Sequence, residues 1–323
     1  MRTTPEQQAG EVDPLLINVD LPFCANYYPA GFPLELTTNS RDVVESANES
    51  WGPWAAEFGR TPLRIAVIVQ PEGALAPPPA FRQHGHLFCV VSDIHNFAVA
   101  DLRTLQGCIF VSARTAADHA WLRWYFVESL AYILLAQRYA MPVHAACVAR
   151  GGCGVLLCGA SGAGKSSLSF ACARAGWTFV SDDCTWLLPD RDDPVGVGRP
   201  HQARFRNDAP QWFPELGRFA ERVRPNGKLS LEVALREFPE IRTASKSAIG
   251  ALALLNRVPG AAARAEKIEA AEIVEFLLAD SASYGDEVDR LRERTVQKLL
   301  YIPAYRLHYD RLSDGVKLLS EFC

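Results

Sequence analysis

The sequence predicts an α/β protein in two parts: a strand-rich α+β domain over residues 1–115 and an α/β domain over residues 116–323. Three observations predict it. Short apolar runs that stop at turn residues fill the first part. A long apolar run at helical spacing follows. From residue 143 the order is strand, glycine turn, strand, glycine-rich loop, helix and strand, which is typical of α/β proteins.

The N-terminal part is predicted to consist mainly of strands. FPLELTT alternates between apolar and polar residues, and LRIAVIVQP, HLFCVVSD and GCIFVSA are apolar or β-branched runs. The proline-rich stretch ALAPPPAF, residues 74–81, predicts a loop. RDVVESANESWG, from Arg41, fits a helix or a strand equally well.

The stretch TAADHAWLRWYFVESLAYILLAQRYAMP predicts a long, largely buried helix between the two parts. Its apolar residues recur at helical spacing at Trp121, Tyr125, Leu130, Ile133 and Leu134. Asp118 is a candidate N-cap, and the run ends before Pro142.

The second part begins with VHAACVA and GVLLCG, predicted as two antiparallel strands joined across the RGGC turn. SSLSFACARAG is predicted as a helix that ends at Gly176, a candidate C-cap glycine. WTFVSDD and CTWLLPD are predicted strands. Farther along, IGALALLNRVPG and YRLHYD predict strands, and EIVEFLLADS and VDRLRERTVQKLLYIP predict helices.

Composition excludes several classes of function. The formal net charge of −4 does not mark a general nucleic-acid binder. No segment approaches the roughly 20 uninterrupted apolar residues of a membrane span. The polar N-terminus, MRTTPEQQAGEVDP, has no signal-peptide core, so we expect a cytoplasmic protein that binds neither nucleic acid nor membrane.

The cysteines predict neither a zinc site nor a disulfide framework. No CxxC pair occurs, and several cysteines lie inside apolar runs, so we expect reduced, buried thiols. The nine residues are Cys24, Cys89, Cys108, Cys147, Cys153, Cys158, Cys172, Cys184 and Cys323.

The motif GASGAGKS matches the phosphate-binding pattern G-x-x-x-x-G-K-[ST] and lies between a predicted strand and a predicted helix. Its glycines allow the backbone amides to converge on an anion, and Lys165 adds a positive charge near the β- and γ-phosphates. The hydroxyl of Ser166 can ligate Mg²⁺. We therefore predict that ATP and Mg²⁺ bind here. The predicted nucleotide-binding residues are Gly159, Ala160, Ser161, Gly162, Ala163, Gly164, Lys165, Ser166 and Ser167.

Two acids, Asp182 and Asp183, end the strand that follows the helix. A strand that returned beside the phosphate-loop strand would place them next to the phosphates. Alternation along the strand sends their carboxylates in different directions, so one could hold the metal while the other takes a proton from an attacking hydroxyl. His144 begins the antiparallel pair, and the hairpin would bring it close to the same place.

These residues resemble the catalytic domain of HPr kinase/phosphorylase. The resemblance rests on His144, the motif at 159–166 and the SDD at 181–183. It implies a P-loop domain related to phosphoenolpyruvate carboxykinase, and a homo-oligomer. It also implies that Asp182 is the proton acceptor, that Asp183 joins Ser166 at the metal, and that His144 tunes Asp182 or contacts phosphate.

The later signature of that family, a glutamate and an arginine before a glycine-rich turn, is absent here. The candidates for its role are Arg199, Arg204, Arg206, Lys228 and Glu232. The leading hypothesis is an ATP- and Mg²⁺-dependent kinase that phosphorylates a serine-type hydroxyl on a protein or peptide. The alternatives are a small-molecule kinase on the same scaffold and a non-catalytic ATP-binding regulatory protein.

Overall fold

Three β-sheets with helices packed against them form the mixed α/β architecture of the computed structural model, which describes residues 16, 18–225, 227–280 and 283–323. The N-terminal residues used to predict the absence of a signal peptide lie outside the described residues. The strands are β1 (Phe23–Tyr27), β2 (Leu34–Thr38), β3 (Leu63–Gln70), β4 (Ala80–His84), β5 (Leu87–Val91), β6 (Phe97–Asp101), β7 (Gln106–Ser112), β8 (Met141–Val143), β9 (Ala146–Arg150), β10 (Cys153–Cys158), β11 (Thr178–Ser181), β12 (Thr185–Leu187), β13 (Val195–Val197), β14 (Gln202–Phe205), β15 (Glu221–Val223), β16 (Leu229–Ala234), β17 (Arg242–Thr243), β18 (Lys246–Arg257), β19 (Arg264–Ile268) and β20 (Ala304–Tyr309). The α-helices are α1 (Arg41–Trp51), α2 (Ala113–Ala117), α3 (His119–Leu122), α4 (Glu128–Ala136), α5 (Lys165–Arg174), α6 (Ala270–Ala279), α7 (Asp286–Gln297) and α8 (Leu312–Leu319).

The first sheet has seven strands in the order β1-β2-β3-β7-β6-β5-β4. Helix α1 joins β2 to β3, which pair in parallel, so RDVVESANESWG is a helix. Its buried face, with Val43, Ala47 and Trp51, packs into the core under this sheet. The predicted strands in this region are confirmed, and the end of the proline-rich stretch at Ala80 and Phe81 belongs to β4.

The predicted long helix is present but irregular. Asp118 caps α3 by accepting the N–H of Trp121 at 3.0 Å, and a π-helical turn, Arg123–Val127, separates α3 from α4. The helical segment ends at Ala136, earlier than predicted. Met141 and Pro142 belong to the strand β8. Neither this segment nor any other helix in the described ranges is long and apolar enough to cross a membrane.

Buried side chains of this segment, including Phe126, Leu130 and Leu134, pack under the first sheet. The same core contains Trp186 and Leu188, which follow the aspartate pair in sequence. The division of the chain between residues 115 and 116 stays a prediction, and packing is continuous across it.

The second sheet has ten strands, in the order β17-β11-β9-β10-β18-β13-β12-β8, with β20 beside β18 and β19 beside β20. The hairpin of β9 and β10 is antiparallel, as predicted. Two details of the prediction are wrong. VHAACVA is not one strand, because the chain leaves β8 at Val143 and starts β9 at Ala146. The strand β11, which ends before the two aspartates, pairs with β9 and not with β10, the strand that precedes the 159–166 motif.

A third sheet, β14-β16-β15, packs against α5. The ring of Phe170 on α5 makes edge-to-face contacts with Phe205, Phe213 and Phe238, at centroid distances of 5.2, 4.9 and 5.4 Å. This aromatic cluster fixes the region after β14 against α5, the helix that follows the 159–164 loop.

Two cysteines contradict the expectation of reduced thiols. Cys153, the first residue of β10, forms a disulfide bond with Cys323 at the end of the chain. Cys147, Cys158 and Cys172 are buried and free, as expected. The expectation failed because sequence separation does not reveal that the C-terminal turn after α8 packs beside the start of β10.

Candidate active site

The motif 159–166 forms a loop between β10 and α5, in the strand–loop–helix setting that its sequence predicted. Gly162 and Gly164 adopt φ values of +92° and +94°, which side chains with a Cβ resist. The turn after Gly164 starts α5 at Lys165, so the free N–H groups of the helix face the loop.

The ammonium group of Lys165 lies within this loop. Its Nζ donates hydrogen bonds to the carbonyl oxygens of Gly159, at 2.7 Å, and Ala160, at 3.3 Å. Burial lowers the pKa of Lys165, and the nearby charge of Asp183 opposes that shift. The lysine is thus a buried cation held at the centre of the motif.

Arg206 lies across the loop from the side of β14. A Cβ built on Gly162 would be 3.1 Å from Nη2 of Arg206, so the guanidinium lies against the loop backbone. Arg206, one of the basic candidates after Asp190, therefore lies in contact with the 159–166 motif.

The aspartate pair lies at the same edge of the sheet as the motif. The hydroxyl of Ser166 donates to the main-chain oxygen of Asp182 at 3.3 Å, which ties the start of α5 to the end of β11. Asp182 is only 7% exposed, whereas the side chain of Asp183 is 55% exposed. The two carboxylates therefore occupy different surroundings, as alternation predicted.

Their acidities are shifted in opposite directions. Burial raises the pKa of Asp182 to about 6; the N–H of Arg204, donated to its Oδ2 at 2.6 Å, opposes this, and the charge of Asp183 adds to it. A hydrogen bond from His144 lowers the pKa of Asp183, with burial opposing. Two neighbouring carboxylates with separated pKa values are typical of acid–base sites.

His144 lies in the break between β8 and β9, and both of its ring nitrogens contact carboxylates. Nε2 is 3.0 Å from Oδ1 of Asp183, and Nδ1 is 2.7 Å from Oδ2 of Asp280. The bond to Asp183 raises the pKa of His144; burial opposes this and the bond to Asp280 reinforces it. His144 therefore lies beside the aspartate pair, and its side-chain partner there is Asp183 and not Asp182.

Asp280, at the end of α6, was not predicted, and the only signal in the sequence was an acid closing a helix.

Hydroxyl groups on either side of the aspartate pair hold its turn in place. Ser181 Oγ is 2.6 Å from Thr185 Oγ1, which donates to the carbonyl oxygen of Ala145 at 2.9 Å. These bonds fix the backbone of the aspartate turn against the segment that carries His144.

Three of the remaining candidates, Arg199, Arg204 and Glu232, take part in ion pairs. Arg204 Nε is 3.0 Å from Oε1 of Glu232, and Arg199 Nη2 is 3.7 Å from Oε1 of the buried Glu128, which also accepts the hydroxyl of Ser50. Glu232 is therefore held by Arg204. Lys228 is exposed before β16, and its carbonyl oxygen accepts the N–H of Arg224.

A cavity of about 360 Å³ opens beside both aspartates, and we call it the aspartate cavity. One wall carries the polar groups of Asp182, Asp183, Arg199 and Arg204. The rest of the lining is largely aromatic and comes from β4, from the helical segment before β8 and from β12. Its rings belong to Phe81, Trp124, Tyr125, Tyr132 and Trp186.

The donor chemistry at this edge fits Mg²⁺. Magnesium prefers oxygen ligands and takes few from the protein, because substrate phosphates and water complete its shell. The Ser166 hydroxyl lies at the end of β11, and Asp183 bonds His144 through Oδ1. Ser166 and Asp183 are thus the residues that could hold the ion.

Comparisons with known proteins find similarity over part of the chain. A family model described as SynChlorMet cassette protein ScmC matches residues 109–197. No curated protein matches the chain. Among solved structures, the chain is similar to the Hpr(Ser) kinase/phosphatase from Coxiella burnetii, with 15% identity, 56% of this chain and 95% of that chain covered, and a TM-score of 0.29. A likeness at that level carries no argument about function.

Proposed function

We propose that the chain is a kinase that uses ATP and Mg²⁺ and transfers the γ-phosphoryl group to a hydroxyl. The observation that carries the proposal is the 3.3 Å hydrogen bond from Ser166 to the main chain of Asp182, which joins the phosphate motif to the aspartate pair. A donor site and a candidate base then lie at one edge of the sheet, beside the aspartate cavity. A cytoplasmic location is part of this proposal.

In this mechanism Asp182 is the general base. It accepts the proton of the acceptor hydroxyl, whose oxygen forms the new bond to the γ-phosphorus while the bond from that phosphorus to the β,γ-bridging oxygen breaks and ADP leaves. A pKa of about 6 leaves Asp182 largely ionised at neutral pH and basic enough to take a proton. Its burial excludes the water that would weaken this interaction.

The cations supply the electrostatic part of catalysis. Lys165 and Arg206, on either side of the loop, would face the charge that spreads over the phosphoryl oxygens. Ser166 and Asp183 would hold Mg²⁺, which would supply positive charge against the phosphates. His144 keeps Asp183 ionised and oriented, so its effect on Asp182 is indirect.

The aspartate cavity is proposed as the acceptor site. Its aromatic wall suits a hydroxyl carried by an apolar or aromatic group on a peptide or small molecule, because burial of that group supplies binding free energy while Asp182 faces the hydroxyl. The acceptor is thus proposed to enter between the first sheet and the end of β11.

The test separates the two aspartates. With ³²P-labelled ATP and a panel of hydroxyl-bearing peptides and small molecules, Asp182→Asn should bind Mg-ATP as the wild type does and lose transfer by about 10²–10⁴-fold. Asp183→Asn should weaken Mg-ATP binding, and raised Mg²⁺ should partly restore it. Lys165→Ala should weaken nucleotide binding without unfolding the chain.

A non-catalytic nucleotide sensor is the second candidate, favoured by the absence of the later HPr-kinase signature. It predicts that wild type and Asp182→Asn both bind ATP and that neither transfers a phosphoryl group. Equal ATP affinity in wild type and Lys165→Ala would reject both candidates.

A further inference from the structure

A groove of about 910 Å³ lies beside α5, and one of its lining residues, Arg257, lies against Gly164 of the 159–166 motif. Its floor is the C-terminal end of α5, and its walls are the segment 211–215, the start of α8, the last residue of β18 and the residues that follow β20. We call it the Trp212 groove. The mechanism above uses none of its side chains.

The order of the sheet places this groove relative to the motif. β18 pairs in parallel with β10, and β20 pairs in parallel with β18, so all three strands end at the edge where the motif begins. The aspartates lie on one side of β10, beyond β9, and the groove lies on the other. A Cβ built on Gly164, the last residue of the loop, would be 3.9 Å from Cδ of Arg257, so the groove starts where the loop ends.

The most distinctive feature of the groove is a tryptophan held flat against an arginine. The guanidinium carbon of Arg257 is 4.9 Å from the ring centre of Trp212, and the tryptophan remains 40% exposed. Arg257 is fixed by a 2.9 Å hydrogen bond from its Nε to the carbonyl oxygen of Asp310. Trp212 is fixed by its neighbour Phe213, which packs on Phe170 of α5.

A rigid, exposed aromatic ring beside a phosphate loop is suited to a planar heterocycle. Stacking of a base on an aromatic side chain does not depend on base identity, because every base has a π-face. The guanidinium of Arg257 lies over one face of the ring, so a base would stack on the opposite face. Asp310 and Arg311 supply polar atoms at the rim, where ribose hydroxyls and base nitrogens need partners.

We propose that the Trp212 groove holds the nucleobase and ribose of the nucleotide whose phosphates lie in the 159–166 loop. This rests on the proposed function, which requires a nucleotide at the loop. The base then lies toward β20 and the γ-phosphate toward β11. One nucleotide bound across the edge of the sheet thereby presents its terminal phosphate to the aspartate cavity.

Calorimetry in the presence of Mg²⁺ tests this with two probes, ATP and inorganic tripolyphosphate. Trp212→Ala should weaken ATP binding by about 5- to 150-fold and leave tripolyphosphate binding unchanged, because only ATP carries a base. Lys165→Ala should weaken both. Trp212→Phe, which keeps an aromatic ring and guards against a folding defect in the alanine variant, should retain most of the ATP affinity.

Fluorescence supplies a second measurement. Energy transfer from tryptophan to bound mant-ATP should fall sharply in Trp212→Phe although the nucleotide still binds. The groove proposal would be overturned if Trp212→Ala kept its full ATP affinity and Trp212→Phe kept its full energy transfer to mant-ATP. The kinase proposal would still stand. Equal losses of ATP and tripolyphosphate in Trp212→Ala would also overturn it. If neither probe binds the wild type, both proposals fail.

Discussion

Replacing Asp182 by asparagine should make the protein more stable at neutral pH, although the same change should abolish transfer. In the folded chain burial raises the pKa of this carboxyl to about 6, against an ordinary value of 3.8. The folded state therefore binds more protons than the unfolded state between these two values. Stability falls as pH rises through that window, and the loss is complete above pH 6.

The magnitude follows from the size of the shift. A difference of about 2 pKa units, at about 1.4 kcal/mol each, gives a loss on the order of 3 kcal/mol at neutral pH. Asparagine carries no charge to desolvate, and its side-chain oxygen can still accept the 2.6 Å hydrogen bond from the N–H of Arg204. The variant should therefore recover up to about 3 kcal/mol above pH 6 and almost none below pH 4.

Urea denaturation from pH 4 to pH 8 measures this directly, and Asp183→Asn is the matched control. Because the bond from His144 lowers the pKa of Asp183, that carboxylate adds stability above its unfolded pKa and loses it as pH falls. Asp183→Asn should thus be destabilised at neutral pH. An Asp182→Asn variant that is less stable than wild type at pH 7.5, or whose difference does not change with pH, would refute the reasoning.

Three further predictions concern single features. Tyr309→Phe should raise the free energy of unfolding by about 1 kcal/mol, since its buried hydroxyl has no hydrogen-bond partner among the described residues; a loss of stability on thermal denaturation would contradict this. Alkylation without reduction should leave Cys153 and Cys323 linked in mass spectra, and reduction should cost about 2–5 kcal/mol; free thiols at both positions would reject the bond. Gly162→Ala, at φ +92° and against a guanidinium, should weaken ATP binding, whereas Gly151→Ala, at φ +59° in open space, should not; equal ATP affinities would refute the contact.

Local sequence was enough to predict the features that depend on a few neighbouring residues. The hairpin of β9 and β10 turns on two glycines with positive φ, and the helix after the motif ends at Gly176 with φ +87°. The side chain of Asp118 caps its helix by accepting a hydrogen bond from the N–H of Trp121, three residues later. Each of these depends on chain geometry within one turn, so a single sequence specifies it.

The position of β11 could not be predicted in this way. A strand has two edges, and the hairpin assigns one edge of β10 to β9 while the other pairs with β18, which arrives far later in the chain. β11 must therefore pair with the outer edge of β9. The partner of His144 and the disulfide are non-local in the same sense, because both depend on where α6 and the C-terminus pack.

The π-helical turn at Arg123–Val127 carries two aromatic residues that line the aspartate cavity, Trp124 and Tyr125. A π-helical turn contains one residue more than the α-helical turn it replaces. Deleting one residue there would restore α-helical winding, and because either kind of turn completes one full rotation, the flanking helix would keep its orientation while the residues within the turn change position. Trp124 and Tyr125 would change direction, and the bond from Tyr125 to the Pro225 carbonyl would be lost, while the position of Glu128 on α4 would not move. A one-codon deletion would therefore change the aromatic lining of the aspartate cavity without touching the 159–166 motif.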